Sequence, residues 1–210
     1  MNRLYYNPGS CSLAPHIVLE EIGAPYETKL VSIAKKQNYE AEYLAINPRG
    51  RVPALDTGQF ILTEVPAILT YLAHCHPEQG LIPESPQREA RCLEWLTWLS
   101  STVHVAVAQV LRPERYVASQ SDYDAVKAHG RTNLKALFAD IDRRVPKSGY
   151  AMGDNFAVVD PFLLVVFRWG NVIRFPMEQD YPSWSRVAHQ VAARPTVQRV
   201  MEQEGIGLEG

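Results

Sequence analysis

The segment that decides the fold lies near the N-terminus and reads RLYYNPGSCSLAPHIVLEEIG from residue 3 to residue 23. Arg3 to Tyr6 has the composition of a β-strand, and the Asn-Pro-Gly that follows is a turn signal. Ser12 to Ile22 then carries apolar residues at helical spacing and is followed by Gly23, a common helix terminator. Cys11 is therefore predicted to lie between the end of a strand and the first turn of a helix.

Short apolar runs continue to alternate with helical patterns up to about residue 75. The elements predicted after the first helix are a strand at Tyr26–Ile33, a short helix at Asn38–Ile46, strands at Val52–Asp56 and Gln59–Leu62, and a helix at Glu64–His74. The order β-α-β-α-β-β-α predicts an α/β unit whose first crossover joins parallel strands.

A proline- and glycine-rich stretch at residues 78–87 predicts a linker between two domains, 1–77 and 88–210. Beyond it the apolar spacing predicts helices only, with a nearly all-apolar one expected at the centre of the second domain. These helices are predicted at Arg88–Arg112, Asp122–Val145, Val158–Val172, Ser183–Ala193 and Pro195–Gln203.

The composition argues against several classes of function. The net charge of −2 gives no electrostatic reason to expect nucleic acid or an anionic membrane as partner. No apolar run is long enough to span a bilayer, and no signal-peptide pattern opens the chain. Three cysteines (Cys11, Cys75 and Cys92) without Cys-x-x-Cys spacing argue against a disulfide framework or a metal site, and a cytoplasmic setting is expected.

Three positions carry alternative interpretations. Cys11 is either a thiolate favoured by the helix N-terminus or a buried thiol that acts as a small hydrophobe. The Val52-Pro53 bond is either cis, which would turn the backbone of Val52 outward, or an ordinary trans bond at a strand edge. Glu64 is either an ordinary residue at a helix start or part of a site for an ammonium and a carboxylate group.

Three blocks of sequence, in this order and at this spacing, resemble the bacterial beta-class glutathione transferases. They read YYNPGSCSLAPHIVL at 5–19, LAINPRGRVPAL at 44–55 and ILTE at 61–64. The resemblance continues through Glu94-Trp95-Leu96, Val103-His104, the block GDNFAVVD at 153–160 and Ala193-Arg194-Pro195, and so covers essentially the whole chain. It implies a thioredoxin-like N-terminal α/β domain followed by an all-α C-terminal domain.

The resemblance also implies a role for individual residues. Cys11 would contact the sulfur of glutathione and form a mixed disulfide with it, and His104 would face the same sulfur from the helical domain. The residues expected to bind glutathione are Lys35, Val52, cis Pro53, Glu64, Val65, Thr97 and Ser101. Thr97 stands where the family has an asparagine, and Ser101 is added because it lies one α-helical turn before His104.

The function that this resemblance implies is conjugation of reduced glutathione to small hydrophobic electrophiles, as in detoxification. Cysteine-dependent thiol–disulfide exchange or peroxide reduction is an additional expectation. A homodimer is expected, with its interface on the helices that start at Glu64 and Arg88. Val65, Pro66, Thr97 and Val105 depart from the family pattern, and they motivate the alternative of a ligand-binding protein with this fold and little turnover.

Overall fold

A computed structural model describes residues 1–209, and a four-stranded mixed sheet forms its N-terminal part. The strands are β1 (Asn2–Tyr6), β2 (Tyr26–Leu30), β3 (Ala54–Asp56) and β4 (Ile61–Thr63), in the order β2-β1-β3-β4. β1 pairs in parallel with β2, and the other two pairs are antiparallel. Helix α1 (Leu13–Ile22) makes the parallel crossover, which confirms the predicted thioredoxin-like α/β arrangement.

Two elements of this part are shorter than predicted. Strand β2 ends at Leu30. The N–H of Val31 still donates to the carbonyl of Tyr6 at 2.8 Å, but the next N–H on that side, of Ile33, donates to the side chain of Asn7 at 3.1 Å. The helix expected at 38–46 is divided into a 3-10 turn, Gln37–Tyr39, and a single turn, α2 (Ala41–Leu44). The next helix, α3 (Val65–Cys75), lies within one residue of its prediction.

The rest of the chain is helical. Its helices are α4 (Pro86–Trp98), α5 (His104–Leu111), α6 (Tyr123–Arg144), α7 (Val159–Val172), α8 (Met177–Asp180), α9 (Pro182–Ala192) and α10 (Pro195–Glu204). Within residues 78–209 there is no strand, and the only β-pairing is an isolated bridge between Tyr150 and Gly153. Gly210, the last residue of the predicted helical domain, lies outside the described residues. No helix of the described chain combines the length and apolarity needed to cross a bilayer.

Helix α4 begins inside the predicted linker. Its first residue is Pro86, and the hydroxyl of Ser85 accepts a hydrogen bond from the N–H of Arg88 at 3.3 Å. A serine cap followed by proline is a favourable helix start. The first N–H groups of a helix have no acceptor within the helix, and proline has no N–H that would need one.

The single helix predicted at 88–112 contains a π-helical segment, Leu99–Val103, between α4 and α5. The N–H of His104 donates to the carbonyl of Leu99, five residues earlier, and not to the residue four earlier. A π turn inserts one residue into the helix and changes which side chains share a face. This change turns Ser101 away from the helix face that carries His104.

Helix α1 joins the two parts of the molecule. Most of its side chains are buried, and it packs against α3 on one side and against α7 and α10 on the other. Residues 159–170 of α7 are all buried, which confirms the predicted central helix. One continuous apolar core therefore runs from Leu4 of the sheet through Ile17 of α1 to Phe162 of α7.

The start of α7 is fixed by the buried carboxylate of Asp160. One oxygen accepts the N–H of Ala157 at 2.7 Å, and the other accepts the N–H of Ala151 at 2.8 Å. Burial raises the pKa of Asp160 to about 7, although both N–H groups oppose the rise. This side chain ties the preceding loop to the central helix.

Replacing Asp160 by Ala should lower the free energy of unfolding by about 2–4 kcal/mol, because it leaves two buried N–H groups without acceptors. Chemical denaturation followed by circular dichroism measures the change. Asp154→Ala removes an exposed carboxylate from the same loop and should change the stability by less than about 0.5 kcal/mol. Equal losses in the two variants would contradict the assigned role of Asp160.

Candidate active site

The loop from Asn7 to Ser12 connects β1 to α1 and is held by its own polar groups. The N–H of Asn7 donates to the hydroxyl of Ser12 at 3.1 Å, and that hydroxyl donates to the carbonyl of Asn7 at 3.1 Å. The N–H of Ser12 donates to the hydroxyl of Ser10 at 3.3 Å. The hydroxyl of Ser10 therefore supplies the side-chain acceptor at the start of α1, and Ser12, the N-cap residue, makes no cap hydrogen bond.

The same loop is held from outside by the C-terminal helices. The N–H of Gly9 donates to Glu204 Oε2 at 2.8 Å, and its carbonyl accepts from Trp169 Nε1 at 2.9 Å and from Arg168 at 3.4 Å. The other oxygen of Glu204 lies 2.8 Å from His16 Nδ1, and both side chains are buried. Gly9 has φ +65°, and a Cβ there would lie 2.6 Å from Arg168 Nη1, so the position requires glycine.

Cys11 is only 8% exposed, and its thiol donates to the carbonyl of Val52 at 3.5 Å. The Val52-Pro53 peptide bond is cis, which settles one of the alternatives left open above. Burial raises the pKa of the Cys11 thiol to about 12; a backbone N–H and the charge of Arg115 only partly oppose it. Of the two interpretations of Cys11, the structure favours the buried thiol for the free protein, because the loss of hydration outweighs the stabilisation offered by the helix start.

Glu64 lies at the N-terminus of α3 with φ 73°, in the left-handed region that side-chain-bearing residues rarely adopt. Its side chain is 66% exposed, and Arg49 Nη2 lies 3.7 Å from Oε1. Val65 is the first residue of α3, so its N–H has no acceptor within the helix. A carboxylate and a free N–H thus lie side by side at one helix start.

His104 begins α5 and lies against Trp169, with 4.7 Å between the ring centroids. Burial, assisted by the positive charges of Arg115 and Arg51, lowers the pKa of His104 to about 4. The imidazole is therefore neutral at neutral pH.

Two adjoining cavities, of about 330 Å³ and about 660 Å³, share Cys11 and His104. Six of the predicted site residues line one or both of them: Cys11, Val52, Pro53, Glu64, Val65 and His104. The cleft lies between the sheet-containing part and helix α5. Within residues 1–209, no three His, Cys, Asp or Glu side chains are grouped so as to bind a metal ion.

Three predicted residues lie elsewhere. Ser101 faces a separate groove between α5 and α6, because the π-helical segment turns it away from the face that carries His104. Ser100, four residues before His104, lines the cleft. Thr97 is exposed on α4 and lines neither cavity. Lys35 is exposed on the loop after β2, and neither cavity reaches it.

The polar and aromatic lining residues that the sequence did not predict include Arg51, Arg112, Arg115, Arg168 and Trp169. Arg112 and Arg115 end an otherwise apolar helical pattern, and this change in composition is a signal that was available in the sequence. Trp169 and the distant Glu204 gave no such signal, because their positions depend on how α7 and α10 pack against α1.

Comparison with known proteins identifies the family to which the chain belongs. The model of the glutathione S-transferase N-terminal domain matches residues 2–74. Glutathione S-transferase GstA of Escherichia coli O157:H7 is 30% identical over 208 residues, which cover 97% of this chain and 99% of that protein. The chain belongs to the glutathione S-transferase family. The matched N-terminal domain of this transferase ends one residue before the end of α3.

Solved structures of glutathione transferases extend the likeness to the whole chain. A Sulfitobacter homologue with bound glutathione has a TM-score of 0.91 and 34% identity, covering 97% of this chain and 98% of that one. A beta-class transferase of Sphingomonas chungbukensis has a TM-score of 0.85 and 31% identity, covering 98% and 100% of the two chains. The two-part fold of this transferase is thus that of bacterial members of the family.

The raised pKa of Cys11 predicts slow alkylation. Iodoacetamide should modify the exposed Cys75 first, and the rate at Cys11 should rise about 10-fold per pH unit from about pH 7 to about pH 10, since only the thiolate reacts. Peptide mass spectrometry of timed samples measures both rates in the same tube. Rapid, pH-independent alkylation of Cys11 near neutral pH would show that it is a stable thiolate.

Proposed function

We propose that this chain is a glutathione transferase that conjugates reduced glutathione to small electrophiles in the cleft between the sheet and α5. One observation carries the proposal: the Cys11 thiol, the Val52 backbone and the Glu64–Val65 helix start face a common cavity of about 660 Å³. In this assignment residues 1–77 bind glutathione, and residues 88–210 form the part of the cleft that binds the electrophile.

The backbone around the cleft suits an extended peptide. The N–H of Val52 has no hydrogen-bond partner within residues 1–209, so it is available to the cysteinyl part of glutathione. The Glu64 carboxylate suits the ammonium of the γ-glutamyl end, and the N–H of Val65 suits its carboxylate. The valine at position 65 keeps this backbone donor, so its departure from the family pattern does not remove the subsite.

Cys11 acts in this proposal as a hydrogen-bond donor. A thiol with a pKa of about 12 keeps its proton at neutral pH and can donate it to the sulfur of bound glutathione. That hydrogen bond and the positive charges of Arg51 and Arg115 favour the glutathione thiolate. Neutral His104 completes the wall facing that sulfur.

The chemical step follows from this polarisation. Glutathione loses its thiol proton to solvent, and a lone pair on sulfur forms a bond to the electrophilic carbon. The leaving group then departs with the electrons of its own bond, so no external oxidant or reductant is needed. Thiol–disulfide exchange and peroxide reduction through Cys11 would require its thiolate, so conjugation is the activity this site favours.

The assembly and setting are part of the same proposal. Phe60 is 45% exposed and packs edge-to-face against Tyr71, with 5.5 Å between the ring centroids. An apolar groove joins them to Pro66 and Leu93 across β4, α3 and α4. A contiguous apolar surface on these elements supports a homodimer. The three cysteines are free, which fits a bacterial cytoplasm, where conjugation would serve detoxification.

Glutathione binding tests the site directly. Titration calorimetry with reduced glutathione should give a dissociation constant that rises about 10-fold in Glu64→Gln, because one charge-assisted contact is lost. The matched control Glu42→Gln removes an exposed carboxylate from α2 and should leave binding unchanged. Equal binding by both variants would exclude Glu64 from the glutathione site.

Replacement of Cys11 distinguishes glutathione conjugation from thiol–disulfide exchange. Cys11→Ala should slow conjugation of 1-chloro-2,4-dinitrobenzene by about 10-fold or more, and Cys11→Ser, which keeps a donor, should retain most of the rate. Disulfide exchange with hydroxyethyl disulfide is measured in parallel. If Cys11→Ala lost only exchange and conjugated normally, Cys11 would be a nucleophile and not a hydrogen-bond donor.

The dimer proposal is tested by analytical ultracentrifugation. The wild-type chain should sediment at twice the mass of one chain, and Phe60→Asp should shift it toward monomer by placing a charge in the apolar surface. Leu30→Asp, at an exposed apolar residue at the end of β2, is the matched control and should remain dimeric. A monomeric wild type would overturn the assignment of this surface.

A further inference from the structure

The electrophile side of the cleft carries an unusual concentration of positive charge. Arg112 lies at the C-terminal end of α5, and Arg115 is the last residue of the 3-10 turn Pro113–Arg115 that follows. Arg51 lies two residues before the cis proline. All three line the cavity of about 330 Å³ that also contains Cys11 and His104. The chain as a whole has a net charge of −2, so this clustering does not reflect a generally basic surface.

No carboxylate of the described residues forms an ion pair with these three groups, and the charge of Glu114 raises the pKa of Arg115 less than the two neighbouring arginines lower it. Within residues 1–209, none of the three guanidinium groups has a carboxylate oxygen within 4.0 Å, and no Asp or Glu lines this cavity. Arg51 donates only to the hydroxyl of Tyr39, at 3.2 Å. Most other arginines of the chain that form ion pairs do so on the outer surface, as Arg143 does with Asp140.

The three arginines also act on one another. All three are solvent-exposed residues that line the cavity. Partial burial lowers the pKa of Arg115, and the positive charges of Arg51 and Arg112 lower it further, which indicates repulsion among them. An anion placed between them would relieve that repulsion and would gain charge-assisted hydrogen bonds. The walls around them are apolar, formed by Val107, Leu111, Trp169 and Val172.

We propose that the electrophile of this transferase carries a carboxylate, bound by Arg112 and Arg115, while its uncharged reactive body lies against the apolar wall near the sulfur. The inference rests on the proposed glutathione transferase function and adds the substrate class. Arg51 adjoins Val52 and lies on the glutathione side, whereas Arg112 and Arg115 come from the helical part. The two helical arginines are therefore the specificity-determining residues.

The effect of a carboxylate charge on the electrophile can be measured with two aromatic substrates. In 4-chloro-3,5-dinitrobenzoate and its uncharged analogue 4-chloro-3,5-dinitrobenzamide, the glutathione sulfur forms a bond to the ring carbon that carries chlorine. The carbon–chlorine bond then breaks, chloride leaves with the bonding electrons, and the thiol proton passes to water. The two substrates share this step and differ in the charge of one remote group.

The experiment compares kcat/KM for both electrophiles, each divided by its uncatalysed rate. The wild type should prefer the carboxylate by about 10-fold or more, and the Arg112→Gln/Arg115→Gln double variant should lose most of that preference. Arg115→Lys keeps the charge and should retain a larger share of the preference than Arg115→Gln. Arg143→Gln, at an exposed arginine of α6, is the matched control and should behave as the wild type.

The ratio between the substrates cancels any effect of the arginines on the glutathione sulfur, because both reactions use the same thiolate. Calorimetric binding of the two conjugate products gives a second readout that needs no turnover. Added salt should reduce the preference for the carboxylate by screening the partly exposed pair.

Three results would overturn the inference. If glutathione binds but the two electrophiles and the two conjugates are handled equally, the carboxylate site is wrong and the transferase proposal stands. If the double variant weakens glutathione binding and leaves the preference unchanged, these arginines serve glutathione. If neither glutathione nor a conjugate binds the wild type, the proposed function fails, and the inference fails with it.

Discussion

The backbone of Gly9 is bound on both sides by residues that come from the other end of the chain. Glu204 accepts its N–H, and Trp169 and Arg168 donate to its carbonyl. The loop that carries Cys11 is thereby fixed to α7 and α10, and α1 is enclosed between these helices and the remainder of the N-terminal part. Because the loop is held by these helices, the position of the thiol depends on the correct packing of the helical part.

Burial, more than any nearby charge, sets the chemistry of the cleft. It raises the pKa of Cys11 to about 12 and lowers the pKa of His104 to about 4, so both side chains are uncharged at neutral pH. The ionised groups of the cleft are arginines and the carboxylate of Glu64. The positive charge that favours a glutathione thiolate therefore comes from guanidinium groups, while cysteine and histidine contribute hydrogen bonding and shape.

The π-helical segment between α4 and α5 shows how a local irregularity changes a site. In a regular α-helix both Ser100 and Ser101 would share a face with His104. The extra residue turns Ser101 toward α6 and leaves Ser100 in the cleft. π turns inside helices are often found at functional sites.

The sequence by itself determined the order of strands and helices, the parallel crossover around Cys11, the buried central helix and the family. These features follow from local periodicity, turn residues and contiguous motifs, which are properties of neighbouring residues. Six of the nine residues predicted for the site line the cleft, and these six (Cys11, Val52, Pro53, Glu64, Val65 and His104) lie within or beside such motifs. Only the tertiary structure decided four features. They are the protonation state of Cys11, the turning of Ser101 away from the cleft, the hydrogen bonds that hold the backbone of Gly9, and the clustering of the arginines. Each of these depends on burial, helix register or contacts between residues far apart in the chain, and no local pattern records them.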